Sequence, residues 1–152
     1  MKCRALKALC ALLLSWCAAS GASAEDVLQI REGYVREMPP GQSTSAAFMK
    51  VLNTGKRPIA LIGASSDGAG QAEIHRHFSK DGMMQMEHVM RVEVPAQGQL
   101  VFAPGGYHLM LINLKRSYRA GEKINIALFD EEGHVYRATL PVVNIVGGGE
   151  SH

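Results

Sequence analysis

Two short stretches of the chain concentrate side chains that bind soft metals. The first holds His75, His77, Met83, Met84, Met86, His88 and Met90, and the second is Pro104-Gly105-Gly106-Tyr107-His108-Leu109-Met110. In an extended strand residues two apart face the same side, so His108 and Met110 can reach one ion together. Imidazole nitrogen suits many first-row metals. A neutral, polarisable thioether is a poor ligand for Zn²⁺, Mg²⁺ or Ca²⁺ and a good one for Cu(I). The pairing of His with Met, without cysteine or a carboxylate cluster, therefore points to Cu(I). It also suits an oxidising compartment, where a thiolate site is lost to disulfide formation and a thioether is not, although sulfoxide formation remains a hazard.

The N-terminus argues for such a compartment. Lys2, Arg4 and Lys7 precede an apolar run from Ala8 to Ala19, and Ala22-Ser23-Ala24 closes it. That is the layout of a secretory signal peptide over residues 1–24, and the run is too short to cross a bilayer, so no membrane span is expected. Cys3, Cys10 and Cys17 all fall inside this segment, which leaves the mature chain free of cysteine. Trp16 is bulky where lipoprotein processing prefers a small residue, so cleavage after Ala24 is favoured over lipidation of Cys17. The segment also carries three of the 16 basic residues and none of the 14 acidic ones, which makes the mature net charge −1 rather than +2. No basic face for nucleic acid or anionic lipid remains.

The metal-binding stretches need a rigid frame. Residues 25–145 read as one all-β domain that must be held by core packing alone, followed by a small, polar, flexible tail over 146–152. Candidate strands are Val27–Val35, Ser45–Asn53, Ile59–Ser66, Gln71–Phe78, Met84–Val94, Gln99–Phe102, His108–Leu114, Lys123–Phe129 and Val135–Val143. Turn signals every 8–12 residues or so favour a sandwich or barrel over a βαβ sheet. Ile124, Ile126 and Leu128 alternate onto one face, and Asp130-Glu131-Glu132-Gly133-His134 then reads as a solvated hairpin loop. Gly105-Gly106 lacks the Lys-Ser/Thr and helix start of a phosphate loop, and reads instead as a tight turn into the next strand.

The spacing His75-x10-Met86-x21-His108-x-Met110 resembles the pattern of the periplasmic copper chaperones known as PCu(A)C, and the flanking residues Ala72-Glu73-Ile74, Asp81-Gly82-Met83-Met84-Gln85 and Pro104-Gly105-Gly106-Tyr107 are similar too. At this chain's own His and Met frequencies such a four-point pattern arises by chance on the order of once in two thousand chains. The resemblance implies a cupredoxin-like Greek-key β-sandwich or barrel, a monomer with an exposed site for one Cu(I), and His75, Met86, His108 and Met110 as its four ligands. It further implies delivery toward the copper centres of a respiratory haem–copper oxidase. The acceptor, whether the copper-bearing subunit of cytochrome oxidase (CuA or CuB) or a Sco-type thiol chaperone, stays open. His77 stands where family members often carry Met, and is a candidate auxiliary ligand for Cu(II). Only His152 remains of the His- and Met-rich tail of some relatives.

Plainer roles compete for the other residues. Met49, Met84 and Met90 read as core fillers, Met83 is balanced between core and site, and His88 and His134 read as solvated. A copper storage or resistance protein would use the same four ligands without a delivery partner. An enzyme is not expected, since the chain has no His-Glu-x-x-His and no three-histidine set with a general base. A blue-copper electron carrier would need a cysteine ligand. A metal-free adaptor would need the spacing to be accidental.

Overall fold

The computed structural model describes residues 27–145. The expected signal peptide, Cys17 and the expected tail lie outside the described residues. Ten strands form the domain: β1 Leu28–Arg36, β2 Thr44–Asn53, β3 Ile59–Ser66, β4 Ala69–Lys80, β5 Met83–His88, β6 Val92–Val94, β7 Gln99–Phe102, β8 Tyr107–Leu114, β9 Lys123–Asp130 and β10 Val135–Val143. No helix among the described residues is long and apolar enough to cross a membrane.

The strands pair in the order β4-β8-β2-β1-β10-β9-β3, and β3 pairs again with β4, so the sheet closes on itself into a Greek-key barrel. Closure removes most free edges. Three short elements are left over: β5 is an edge on β4, β6 is an edge on β3, and β7 fits between β8 and β2. β2 serves two neighbours: Thr44–Ala47 pair with β8, and Met49–Leu52 pair with β7.

Alternation fills the barrel. Leu28, Val35, Met49, Val51, Leu61, Ile74, Leu109, Leu111, Ile124, Ile126 and Leu128 belong to a single buried cluster. Burying each such side chain contributes about 1.5–3 kcal/mol, which is where a domain without disulfides must find its stability. The expected inward face of β9 and the core role of Met49 are both present.

One expected strand is divided. Met84–Val94 breaks at Val89–Arg91 because its two ends serve different neighbours: β5 pairs with β4 from His75 to Lys80, whereas β6 pairs with β3 at Ile59–Leu61. The amide of Val89 bonds the Ile74 carbonyl at 2.8 Å as the chain leaves β4. Met84 and Met90 are not core fillers either, being 64% and 71% exposed, with Met83 at 63%. All six residues of β5 are exposed because this strand stands outside the ring.

The β9–β10 loop also differs from its expected character. Asp130 is buried. It accepts hydrogen bonds from the Glu132 and His134 amides at 3.0 and 2.8 Å, from the Tyr136 hydroxyl at 2.8 Å, and pairs with His134 Nδ1 at 2.9 Å. Burial pushes its carboxyl up, but these donors together prevail and hold it below the ordinary aspartate value. Glu131, Glu132 and His134 are exposed, as a solvated turn requires.

Candidate metal centre

Two tight turns aim the metal-binding stretches at each other. Lys80 faces Met83 across a two-residue loop, Asp81-Gly82, with φ of 53° and 77°. Positive φ at both positions is the hairpin turn that Asp-Gly favours, and it folds β5 back along β4. The second turn is Ala103-Pro104-Gly105-Gly106, closed by the Gly106 amide on the Ala103 carbonyl at 3.0 Å, with Gly105 at φ 80°. Proline at the second place and a left-handed glycine at the third define a type II turn. It launches β8 and presents the Gly106 carbonyl to the site, where it accepts from the His77 amide at 3.1 Å and from His108 Nδ1 at 3.2 Å.

Register then sets the pattern on the face of β5-β4-β8. Residues directly opposite in antiparallel strands share a face. His75 of β4 lies between His88 of β5 and His108 of β8, making a row of three imidazoles across the sheet. One rung toward the hairpin, His77 faces Met86; one rung the other way, Glu73 faces Met110. The reverse side of the same strands is core, carried by Ile74, Leu109 and Leu111. The rings are close: 5.4 Å between centroids for His75 and His88, 5.9 Å for His75 and His108, and 4.7 Å for His77 and His108.

Hydrogen bonds fix which nitrogen the His75 and His108 rings offer. His75 Nε2 lies 2.8 Å from Glu73 Oε2, and the carboxylate can only accept, so Nε2 carries the proton and Nδ1 the lone pair. His75 Nδ1 is buried without a hydrogen-bond partner, and so is His77 Nδ1. His108 donates from Nδ1 to the Gly106 carbonyl, which leaves Nε2 as its lone-pair nitrogen. His108 is only 3% exposed, and burial lowers its pKa; the Gly106 carbonyl offsets part of this, while His77 and His75 reinforce it. A neutral ring is the metal-binding form. A buried polar atom without a partner costs about 1–3 kcal/mol, and an ion on that lone pair recovers the loss. These orphaned nitrogens fit a metal.

The thioethers are placed less tightly. Met110 is half-buried beside His108, whereas Met86 is 48% exposed on the edge strand. Their rungs are four residues of β4 apart, roughly 13 Å along the strand. The structure thus brings His75, His108 and Met110 together and leaves Met86 beside His77. Bringing all four onto one ion requires the β4–β5 hairpin to bend over the histidine row. No three His, Cys, Asp or Glu side chains among the described residues already converge as a metal cage.

Sequence reasoning placed the four pattern residues and singled out His77, but treated Glu73 as flanking sequence and His88 as solvated. Glu73 could have been found from its position two residues before His75, which puts it on the same face. His88 is exposed as expected, yet its ring stacks on His75.

Residues 28–142 match the family model "Putative lipoprotein LpqE-like". A relative from Leifsonia xyli subsp. xyli (strain CTCB07), "Putative lipoprotein Lxx21020", is 31% identical over 94% of this chain and 86% of its own length. Among solved structures, the Cu(I) form of DR1885 from Deinococcus radiodurans is 31% identical, with a TM-score of 0.65 over 85% of this chain and 86% of that one. The chain belongs to the LpqE-like, PCu(A)C family. The copper-bound PCuAC domain of PmoF2, at 20% identity and a TM-score of 0.65 over 78% of this chain and 93% of that one, shares its fold. The cupredoxin-like architecture of PCu(A)C is thus that of this chain. Lipoproteins are exported proteins, so the descriptions of the family and of the Leifsonia relative place such PCu(A)C chains outside the cytoplasm.

Proposed function

We propose that this chain is a periplasmic copper chaperone that carries one Cu(I) on His75, Met86, His108 and Met110 and passes it to an acceptor for assembly of haem–copper oxidase centres. The observation that carries the reading is the buried, unpartnered His75 Nδ1, with Nε2 of the same ring held by Glu73, beside His108, whose Nδ1 is held by the Gly106 carbonyl so that its Nε2 is left to bind, on a face that also carries thioethers. Outer contacts of this kind fix tautomer and ring orientation for a metal. The relative solved with Cu(I), the lipoprotein descriptions and the signal-like N-terminus support copper as cargo and an exported site of action.

Transfer follows from the uneven hold on the four ligands. Two neutral imidazoles and two thioethers leave the bound ion at a net charge of about +1, with no thiolate to retain it. Met86, exposed on the outer strand, is the ligand that leaves first, and an acceptor thiolate enters at the vacated position. His108 is the most deeply held and releases last. No bond of a substrate is made or broken.

The test is a competition titration of the mature chain with Cu(I) against a chromophoric chelator, beside single alanine variants of the four ligands. Wild type is expected to bind one Cu(I), and Met86→Ala to bind about tenfold or more weakly with an unchanged fold. Unchanged affinity in all four variants sinks the assignment. A deletion strain separates delivery, which predicts lost oxidase activity at low copper, from storage or resistance, which predicts sensitivity to high copper.

A further inference from the structure

We propose that the same face binds Cu(II) as well, through an all-imidazole set of His75, His77, His88 and His108. This rests on the reading of the face as a copper site, and it assigns ligand roles to two residues that the His/Met pattern leaves out.

Each imidazole of the four is in ring contact with at least one other. His88, His75, His108 and His77 make an unbroken chain of ring contacts, whereas Met86 and Met110 stand at opposite corners of the face. A metal–nitrogen bond of about 2 Å puts a ring centroid about 3 Å from the ion, so two rings on one ion sit roughly 4.5–6 Å apart. The separations of the three neighbouring pairs, 4.7, 5.4 and 5.9 Å, fall in that range, and the outer rings, His88 and His77, have to swing in toward the ion. Stacked rings do not yet point their nitrogens at one centre, and the ion has to turn them. His88 can turn freely because it is exposed on the edge strand.

His77 supplies the decisive observation. Its Nδ1 is buried and unpartnered, its backbone amide is tied to the Gly106 carbonyl that also orients His108, and its ring stacks on His108. A buried ring nitrogen left unsatisfied calls for an explanation, and a metal ion shared with the neighbouring His108 supplies one. Cu(II) favours a square arrangement of nitrogen and oxygen donors, whereas Cu(I) accepts soft thioether in few-coordinate sites. Each oxidation state therefore takes its own subset, and because His75 and His108 belong to both, the face holds one ion at a time. No electron transfer is needed, since each state is bound as it arrives.

The experiment is a Cu(II) titration of the mature chain, read by electron paramagnetic resonance, run beside the Cu(I) competition titration. One Cu(II) with hyperfine structure from three or four nitrogens is expected. The double variant His77→Gln/His88→Gln should lose about tenfold or more in Cu(II) affinity and keep its Cu(I) affinity within about threefold, which also reports that it is folded. Met86→Ala should show the reverse. Prior loading with one Cu(I) should block Cu(II). Unchanged Cu(II) binding in the double variant, equal losses for both ions, two ions bound at once, or loss of Cu(II) on His134→Ala or on removal of residues 146–152 would each overturn the proposal. Absence of Cu(I) binding by the wild type, with Cu(II) binding intact, would strike the chaperone reading instead.

Discussion

Two polar clusters, one around the buried Asp130 and one around the buried His108, differ in whether their hydrogen bonds are complete. At the β9–β10 turn Asp130 receives four donors from Glu132, His134 and Tyr136, all within three ångströms or so. On the β5-β4-β8 face the histidines keep two buried ring nitrogens without partners. Both clusters stand against the same core and both are made of ordinary side chains. A satisfied cluster closes a turn and has nothing left to offer, whereas an unsatisfied one is built for a ligand the chain itself does not supply. Chemistry is therefore assigned to the histidine face and stability to Asp130, even though Asp130, His134 and Tyr136 also line a cavity of about 660 Å³.

Exchanging the two roles by mutation tests that contrast, and the largest effect is expected at His108. It is the most buried of the four pattern ligands, and its ring is oriented by Gly106. His108→Ala should lower Cu(I) affinity by more than about a hundredfold, beyond the range for loss of an outer contact. The unfolding temperature of the apo variant should fall as well, because removing a ring that is 3% exposed leaves a cavity, but the domain should stay folded at the temperature of the titration. A variant that unfolds early but binds copper normally would reverse the assignment. Glu73→Ala comes next. It removes the carboxylate that holds His75 Nε2–H, and a loss of roughly tenfold in Cu(I) affinity is expected, at the lower end for such partners. Unchanged affinity there would mean that the His75 tautomer needs no support.

Much of the frame was legible from residue pattern, and the reasons it was incomplete are physical. Turn residues and alternation located nine segments that between them cover the ten strands, and Gly105-Gly106 marked one of the two turns that shape the site; the Asp81-Gly82 hairpin turn was not read as one. What alternation cannot carry is pairing: β1 meets β10 in parallel at Val35 and Val142, residues more than a hundred apart in sequence. For the same reason Met84–Val94 read as one strand, since apolar residues run through it while its two halves serve different neighbours. Hydropathy misplaced Met84 and Met90 because a thioether on an edge strand or in the break that follows it looks like a core filler until the pairing is known. The four pattern residues were visible as spacing. The stacking of His77 on His108 and the orphaned nitrogens of His75 and His77 depend on register and were not.

The smallest effect on copper belongs to Asp130, and there the prediction concerns acid. Its carboxyl is held below the ordinary aspartate value of 3.8 in the folded chain. Below the ordinary value the unfolded chain takes up a proton that the folded chain still refuses, so protons favour unfolding in that interval. The stability due to Asp130 is thus complete above the ordinary value and drains away as pH falls through the lowered one. Asp130→Asn removes the charge and must turn an amide toward donors that need an acceptor, at a cost of about 1–3 kcal/mol at neutral pH. Its stability should consequently fall less steeply than wild type as pH drops below about 4. Denaturant unfolding followed from pH 7 to pH 2 reads both numbers at once. Equal acid slopes in the two proteins would show that another carboxylate governs the acid limb, and any loss of Cu(I) affinity in Asp130→Asn would show that the two clusters are coupled rather than separate.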